Sequence, residues 1–96
     1  MLGIVRSASL DLGRYNIRVN AVAPGPIATK ALLGRVATRA DESHQTSAVL
    51  LQKYIDETSL GRMATDSEVA TAVLFLASDL ASGITGVILP IDAGAR

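Results

Sequence analysis

Ile17-Arg18-Val19-Asn20-Ala21-Val22-Ala23-Pro24-Gly25-Pro26-Ile27-Ala28-Thr29 is the stretch that decides the fold. It begins with β-branched residues in alternation, turns apolar, and halts at Pro-Gly-Pro. The pattern predicts a buried strand over residues 17–22, followed by a rigid turn. Pro24 and Pro26 fix φ and withhold two N–H groups, which stops the strand. Gly25 between them allows a sharp turn and lets a ligand approach the main chain. In open α/β sheets, ligands sit beyond the carboxyl ends of the strands. The turn is therefore the first candidate site.

Upstream, Leu2, Val5, Ala8 and Leu12 form a helical stripe with Gly13 placed as its stop, so residues 1–12 read as the end of a helix cut short. Downstream, Leu32, Leu33 and Val36 predict one helical turn, and Val49, Leu50 and Tyr54 another. Residues 38–47 are polar and without period, and read as a loop that is floppy in isolation. Thr65-Asp66-Ser67-Glu68 is a capping box. The helix after it carries Val69, Val73, Leu76, Ala77 and Leu80 on one face, widened by Ala70, Leu74 and Phe75. Such a helix is expected to be buried on more than one side. Residues 79–86 read as a loop and 87–91 as a short strand, with Pro90 where one N–H is not needed. The two strands are expected to be parallel neighbours joined by a right-handed helical crossover.

Ninety-six residues allow one small domain, and 49% are hydrophobic while only 3% are aromatic. The mean hydropathy of +0.36 implies more apolar surface than so short a chain can bury. Nine basic and nine acidic residues balance, without a basic run, which argues against a nucleic-acid partner. No run reaches the roughly 18 apolar residues of a spanning helix, and no charged leader precedes an apolar core, so neither membrane nor export is expected. With no cysteine there is no disulfide framework and no thiol nucleophile. The default compartment is the cytoplasm.

The stretch 17–29 resembles the sixth strand and following turn of the short-chain dehydrogenase/reductase family, whose usual form is I-R-V-N-x-V-x-P-G-x-I-x-T. The resemblance continues through Leu60-Gly61-Arg62, Glu68-Val69-Ala70, Phe75-Leu76-Ala77-Ser78, Ile84-Thr85-Gly86 and Ile91-Asp92-Ala93-Gly94, collinear and correctly spaced. It covers nearly the whole chain but only the family's C-terminal portion. It implies an α/β fold, the C-terminal β-α-β portion of a Rossmann-like doubly wound parallel sheet, with residues 1–96 a partial domain. Residues 30–58 would be the substrate loop.

By the same resemblance, Pro24, Gly25, Ile27 and Thr29 are cofactor-binding: the backbone at Ile27 and the hydroxyl of Thr29 hold the nicotinamide carboxamide and nearby phosphate oxygens. The plainer reading makes Thr29 the N-cap of the next helix, and for these 96 residues alone it is preferred. The family's catalytic Tyr-x-x-x-Lys would fall a few residues before Met1, and its Ser, its Asn and its glycine-rich cofactor turn are also missing. The resemblance thus implies part of an NAD- or NADP-dependent oxidoreductase that interconverts an alcohol and a carbonyl of a small-molecule substrate. The full-length parent is expected to be a homo-oligomer. The chain alone is expected to be inactive, with no cofactor bound and no catalytic residue. The alternative is a non-catalytic oligomerisation or partner-binding module.

Other candidates have plainer roles. Tyr15 and Tyr54 are followed four residues later by Val19 and Thr58, not lysine, and read as packing residues. His44 reads as a solvated loop residue. Arg18 is placed to reach a helix C-terminus or a carboxylate, and Asn20 to bond an adjacent loop. Asp92 is expected to be structural, with Ala93 standing where the family has glycine. No spacing of acids or histidines suggests a metal.

Overall fold

Threonine caps set where the helices begin. The computed structural model describes residues 2–96 and runs α1 (Leu2–Leu12), a 3-10 turn (Gly13–Tyr15), β1 (Ala21–Pro24), α2 (Lys30–Ser43), α3 (Ser47–Asp56), α4 (Asp66–Ala77), a second 3-10 turn (Asp79–Ala81) and β2 (Ile88–Ile91). The hydroxyls of Thr29, Thr46 and Thr65 accept from the N–H groups of Leu32, Val49 and Glu68. Each satisfies a donor that the first helical turn leaves free. At α4 the box is complete, since the Glu68 carboxylate accepts the Thr65 N–H at 2.9 Å.

The strands pair in parallel, from Ala21 opposite Ile88 to Pro24 opposite Ile91. The N–H groups of Ala21 and Gly25 donate to the carbonyls of Val87 and Ile91. Odd-numbered residues of β1 thus face β2, and Pro24 turns its missing N–H to the far edge. By the same alternation Pro90 faces the outer edge of β2, as the sequence suggests. α4 packs on both strands. The result is an α/β, Rossmann-like arrangement.

Four expectations need correction. Pairing begins at Ala21, not at residue 17, and it includes Pro24. Residues 17–20 are held instead by the Gly86 N–H on the Val19 carbonyl at 2.8 Å and by side-chain bonds: Asn20 Nδ2 donates to the Ile84 carbonyl at 3.0 Å and Asn20 Oδ1 accepts from Val87 N–H at 3.2 Å. Arg18 donates to the carbonyls of Leu76 at 2.7 Å and Ser78 at 3.1 Å, closing the C-terminus of α4.

Residues 38–47 are not a floppy loop. α2 runs unbroken to Ser43, and His44, exposed and left-handed at φ 59°, caps it. The buried stripe is Leu32, Val36 and Ala40, one turn apart, joined by Leu50 with Leu51, Tyr54 and Met63 packed against it. Ala40 is only 3% exposed, but alanine gives so weak an apolar signal that the period is lost in the sequence.

At α1, Gly13 does not supply the left-handed stop; a 3-10 turn intervenes and Asn16, at φ 59°, supplies it. Leu2 lies off the buried face, which consists of Val5 and Ser9. α4, finally, is not buried on several sides. Leu76 is its one buried residue, Leu74 is 70% exposed, and Leu80 lies beyond the helix at 84%.

Exposure of this kind is general. The chain extends 55 × 23 × 21 Å with a radius of gyration of 16.9 Å, against about 12–13 Å for a compact chain of this length. Its surface is 6637 Å², against roughly 5,200 Å² for a compact 10.0 kDa monomer. No helix among the described residues is long and apolar enough to cross a membrane.

Candidate functional site

The four predicted cofactor residues lie on one turn at the carboxyl end of β1. Pro24 is the last strand residue. Gly25 donates its N–H to the Ile91 carbonyl at 3.0 Å, fixing the turn against the end of β2. A Cβ built on Gly25 would stand 2.5 Å from Asp92 Cβ, and the residue has no positive φ. Glycine is needed here because Asp92 occupies the space that a side chain would take. Ile27 pairs with Ala64 in an isolated parallel bridge, which ties the turn to the segment before α4.

Thr29 closes the turn. Its N–H reaches the Ile27 carbonyl at 2.7 Å, and its hydroxyl oxygen accepts from Leu32 N–H at 3.2 Å. That bond uses a lone pair and leaves the hydroxyl hydrogen without an acceptor among the described residues. Thr29 is half-buried, so the spare donor sits in a partly desolvated position at the strand end. The cap reading is realised, and it leaves the donor that a nicotinamide carboxamide or phosphate oxygen requires.

Asp92 is structural, as expected. Its Oδ1 accepts from Gly94 N–H at 2.9 Å. Ala93 takes the left-handed φ of 56°. The Ala93 and Gly94 carbonyls hold the N–H groups of Leu60 and Ser59 at 3.1 and 3.0 Å.

Two constellations escaped the sequence reading. Arg62 forks onto Glu68, with Nη1–Oε1 at 2.8 Å and Nη2–Oε2 at 2.9 Å. The Arg62 hydrogen bond, then the Thr65 N–H, lower the Glu68 carboxyl to a pKa of about 2. An arginine three residues ahead of a capping threonine is the signal that was available. The second is a pair of arginines, Arg35 and Arg39, beside Tyr54, whose hydroxyl accepts from Arg39 Nη1 at 3.3 Å. Tyr54 is thus more than a packing residue. Tyr15 is exposed, with the Arg14 guanidinium 5.1 Å from its ring centre.

A family model described as enoyl-(acyl carrier protein) reductase matches residues 1–96. The chain belongs to the short-chain dehydrogenase/reductase family. A 3α-hydroxysteroid dehydrogenase of Mediterraneibacter gnavus is 40% identical over 94 residues, which are 98% of this chain and 33% of that protein. The enoyl-[acyl-carrier-protein] reductase [NADH] FabI of Nostoc sp. is 44% identical over 90 residues, 94% of this chain and 31% of its own length. Among solved structures, a short chain dehydrogenase family protein from Francisella tularensis superposes with a TM-score of 0.89 at 33% identity. The match covers 96% of this chain and 38% of that one. The chain spans about a third of the length of the curated relatives it matches. Within this family, the parallel strand pair, its capping-box helix and the Pro-Gly-Pro turn are the parts the chain supplies.

Proposed function

We propose that these 96 residues are the C-terminal part of an NAD(P)-dependent short-chain dehydrogenase/reductase that interconverts an alcohol and a carbonyl. The observation that carries this reading is the turn of residues 24–29. It stands at the carboxyl end of a parallel strand, with the Thr29 hydroxyl hydrogen free. Pro24, Gly25, Ile27 and Thr29 form the nicotinamide side of the cofactor site: Thr29 donates to a cofactor oxygen, and the backbone at Ile27 contacts the carboxamide. When bound, the nicotinamide supplies or accepts the hydride. The chain's own task is to fix the ring's face and, through residues 30–58, to cover the substrate.

The 96 residues contain no Tyr-x-x-x-Lys, so by themselves they lack the proton donor and are inactive. The test is a chimera in which residues 1–96 replace the equivalent third of the Mediterraneibacter gnavus relative. The chimera should bind NAD(H) or NADP(H) and reduce a carbonyl compound, and the 96-residue chain should do neither. Saturable NAD(P)H oxidation by the chain alone, or a folded chimera without cofactor affinity, would contradict the reading.

A second reading is favoured by the apolar faces of α1 and α4, where Ile4, Leu10 and Leu74 stand exposed. These faces mediate assembly, so that the complete enzyme is a homo-oligomer or, without the remainder, the chain is a docking module. Sedimentation of the chimera distinguishes assembly from a monomer.

A further inference from the structure

Arginine lines several clefts of the molecule, and two of them differ in how the charge is met. In the cleft of ≈ 430 Å³ beside Ser59 and Asp92, Arg62 is neutralised by Glu68. The cleft between the 24–29 turn, α2 and α3 measures ≈ 390 Å³ and is bounded by Gly25, Pro26, Leu32, Arg35, Arg39 and Tyr54. Its size suits a small ligand, for which roughly 300–1,000 Å³ is usual.

Arg35 and Arg39 are one helical turn apart and so share a face of α2. Among the described residues neither pairs with a carboxylate; Glu42 and Glu57 line the adjoining clefts with Arg39 without an ion pair. Two like charges at this spacing oppose helix formation. Both line a cleft whose wall also includes Gly25 and Pro26 of the turn. Tyr54 accepts from Arg39, which leaves its own phenolic hydrogen to donate outward. Two guanidinium groups and a hydroxyl donor, with no carboxylate among the side chains of the wall, match an oxyanion.

We propose that Arg35, Arg39 and Tyr54 bind an anionic oxygen group, a carboxylate or phosphate, carried by the substrate. This rests on residues 24–29 being the nicotinamide side, because Gly25 and Pro26 then form a wall common to both sites. The enzyme would prefer an acidic carbonyl or alcohol compound over a neutral polyol or sterol.

The test is titration of the 96-residue chain with inorganic phosphate, acetate and glycerol, followed by the amide NMR signals of α2 and α3. Saturable shifts around residues 35, 39 and 54 with either anion, and none with glycerol, are expected; the anion that binds tells phosphate from carboxylate. Arg35→Gln and Arg39→Gln should each weaken binding at least tenfold, and Tyr54→Phe several-fold. Arg14→Gln, far along the chain, should leave it unchanged. No saturable shift with either anion, or equal weakening by Arg14→Gln, would overturn the proposal. No nicotinamide enters this experiment, so its failure is distinct from a failure of the cofactor reading.

Discussion

At the scale of single residues, glycines separate packing demands from ligand demands. A Cβ at Gly25 would stand 2.5 Å from Asp92 Cβ, so Gly25→Ala must push Asp92, next after β2, away from the turn. Gly34, inside α2, has nothing within 4 Å of its Cβ position. Gly34→Ala should stabilise the chain by about 1 kcal/mol through helix propensity alone, and Gly25→Ala should cost more than that gain; urea midpoints of the two variants check both. The role of Gly25 was not legible in the sequence, because the residue that crowds it lies 67 positions away. Thr29 was legible as a cap and as a candidate for the cofactor site. A proline-glycine turn followed by Thr predicts a cap from chemistry, and the family resemblance adds the cofactor. Arg35 and Arg39 went unread for a different reason. Their meaning depends on which carboxylates they lack, and only packing reveals that.

At the scale of elements, caps carry the boundaries. Thr65→Ala should cost about 1 kcal/mol and fray α4, read as faster hydrogen exchange over Asp66–Ala77. The Glu68 carboxyl adds a pH dependence. Its folded pKa of about 2 lies below the ordinary 4.5, so its contribution is complete above about pH 4.5. It fades as pH falls toward 2, where the carboxylate is protonated and Arg62 loses its partner. Melting temperatures of the native chain and of Glu68→Gln should therefore differ at pH 6 and converge near pH 2. The start of α4, though not its exposure, was legible in the sequence because a capping box is local chemistry. The extent of the α2–α3 pair was less legible because its period rests on Ala40, and caps such as Thr29 and Thr46 mark where a helix begins, not how far it runs. β1 was displaced by four residues for a related reason: Ile17 to Asn20 look like strand, but Arg18 and Asn20 spend their bonds on the loop around Ile84.

At the scale of the whole molecule, the apolar excess inferred from composition is visible as an elongated shape with bare helix faces. The sheet edges are less adhesive than an apolar strand suggests, because Pro24 and Pro90 withhold donors on the two outer sides. Self-association of the 96-residue chain should therefore run through α1 and α4. Leu10→Lys with Leu74→Lys should suppress it without lowering the melting temperature, as light scattering and thermal melts will report. The central claim, that the 24–29 turn is the nicotinamide side of a cofactor site, is tested most directly at Thr29 in the chimera with the relative's N-terminal part. Serine keeps both the cap and the hydroxyl donor, aspartate keeps only the cap, and alanine keeps neither. The measurement is the NAD(P)H dissociation constant of the three variants by fluorescence titration, with melting temperatures alongside. Thr29→Ser should bind as the parent does. Thr29→Asp should melt like the parent yet bind about tenfold more weakly, as befits a lost hydrogen bond of about 1 kcal/mol plus charge repulsion. If Thr29→Asp binds cofactor as tightly as the parent, Thr29 is a helix cap and nothing more.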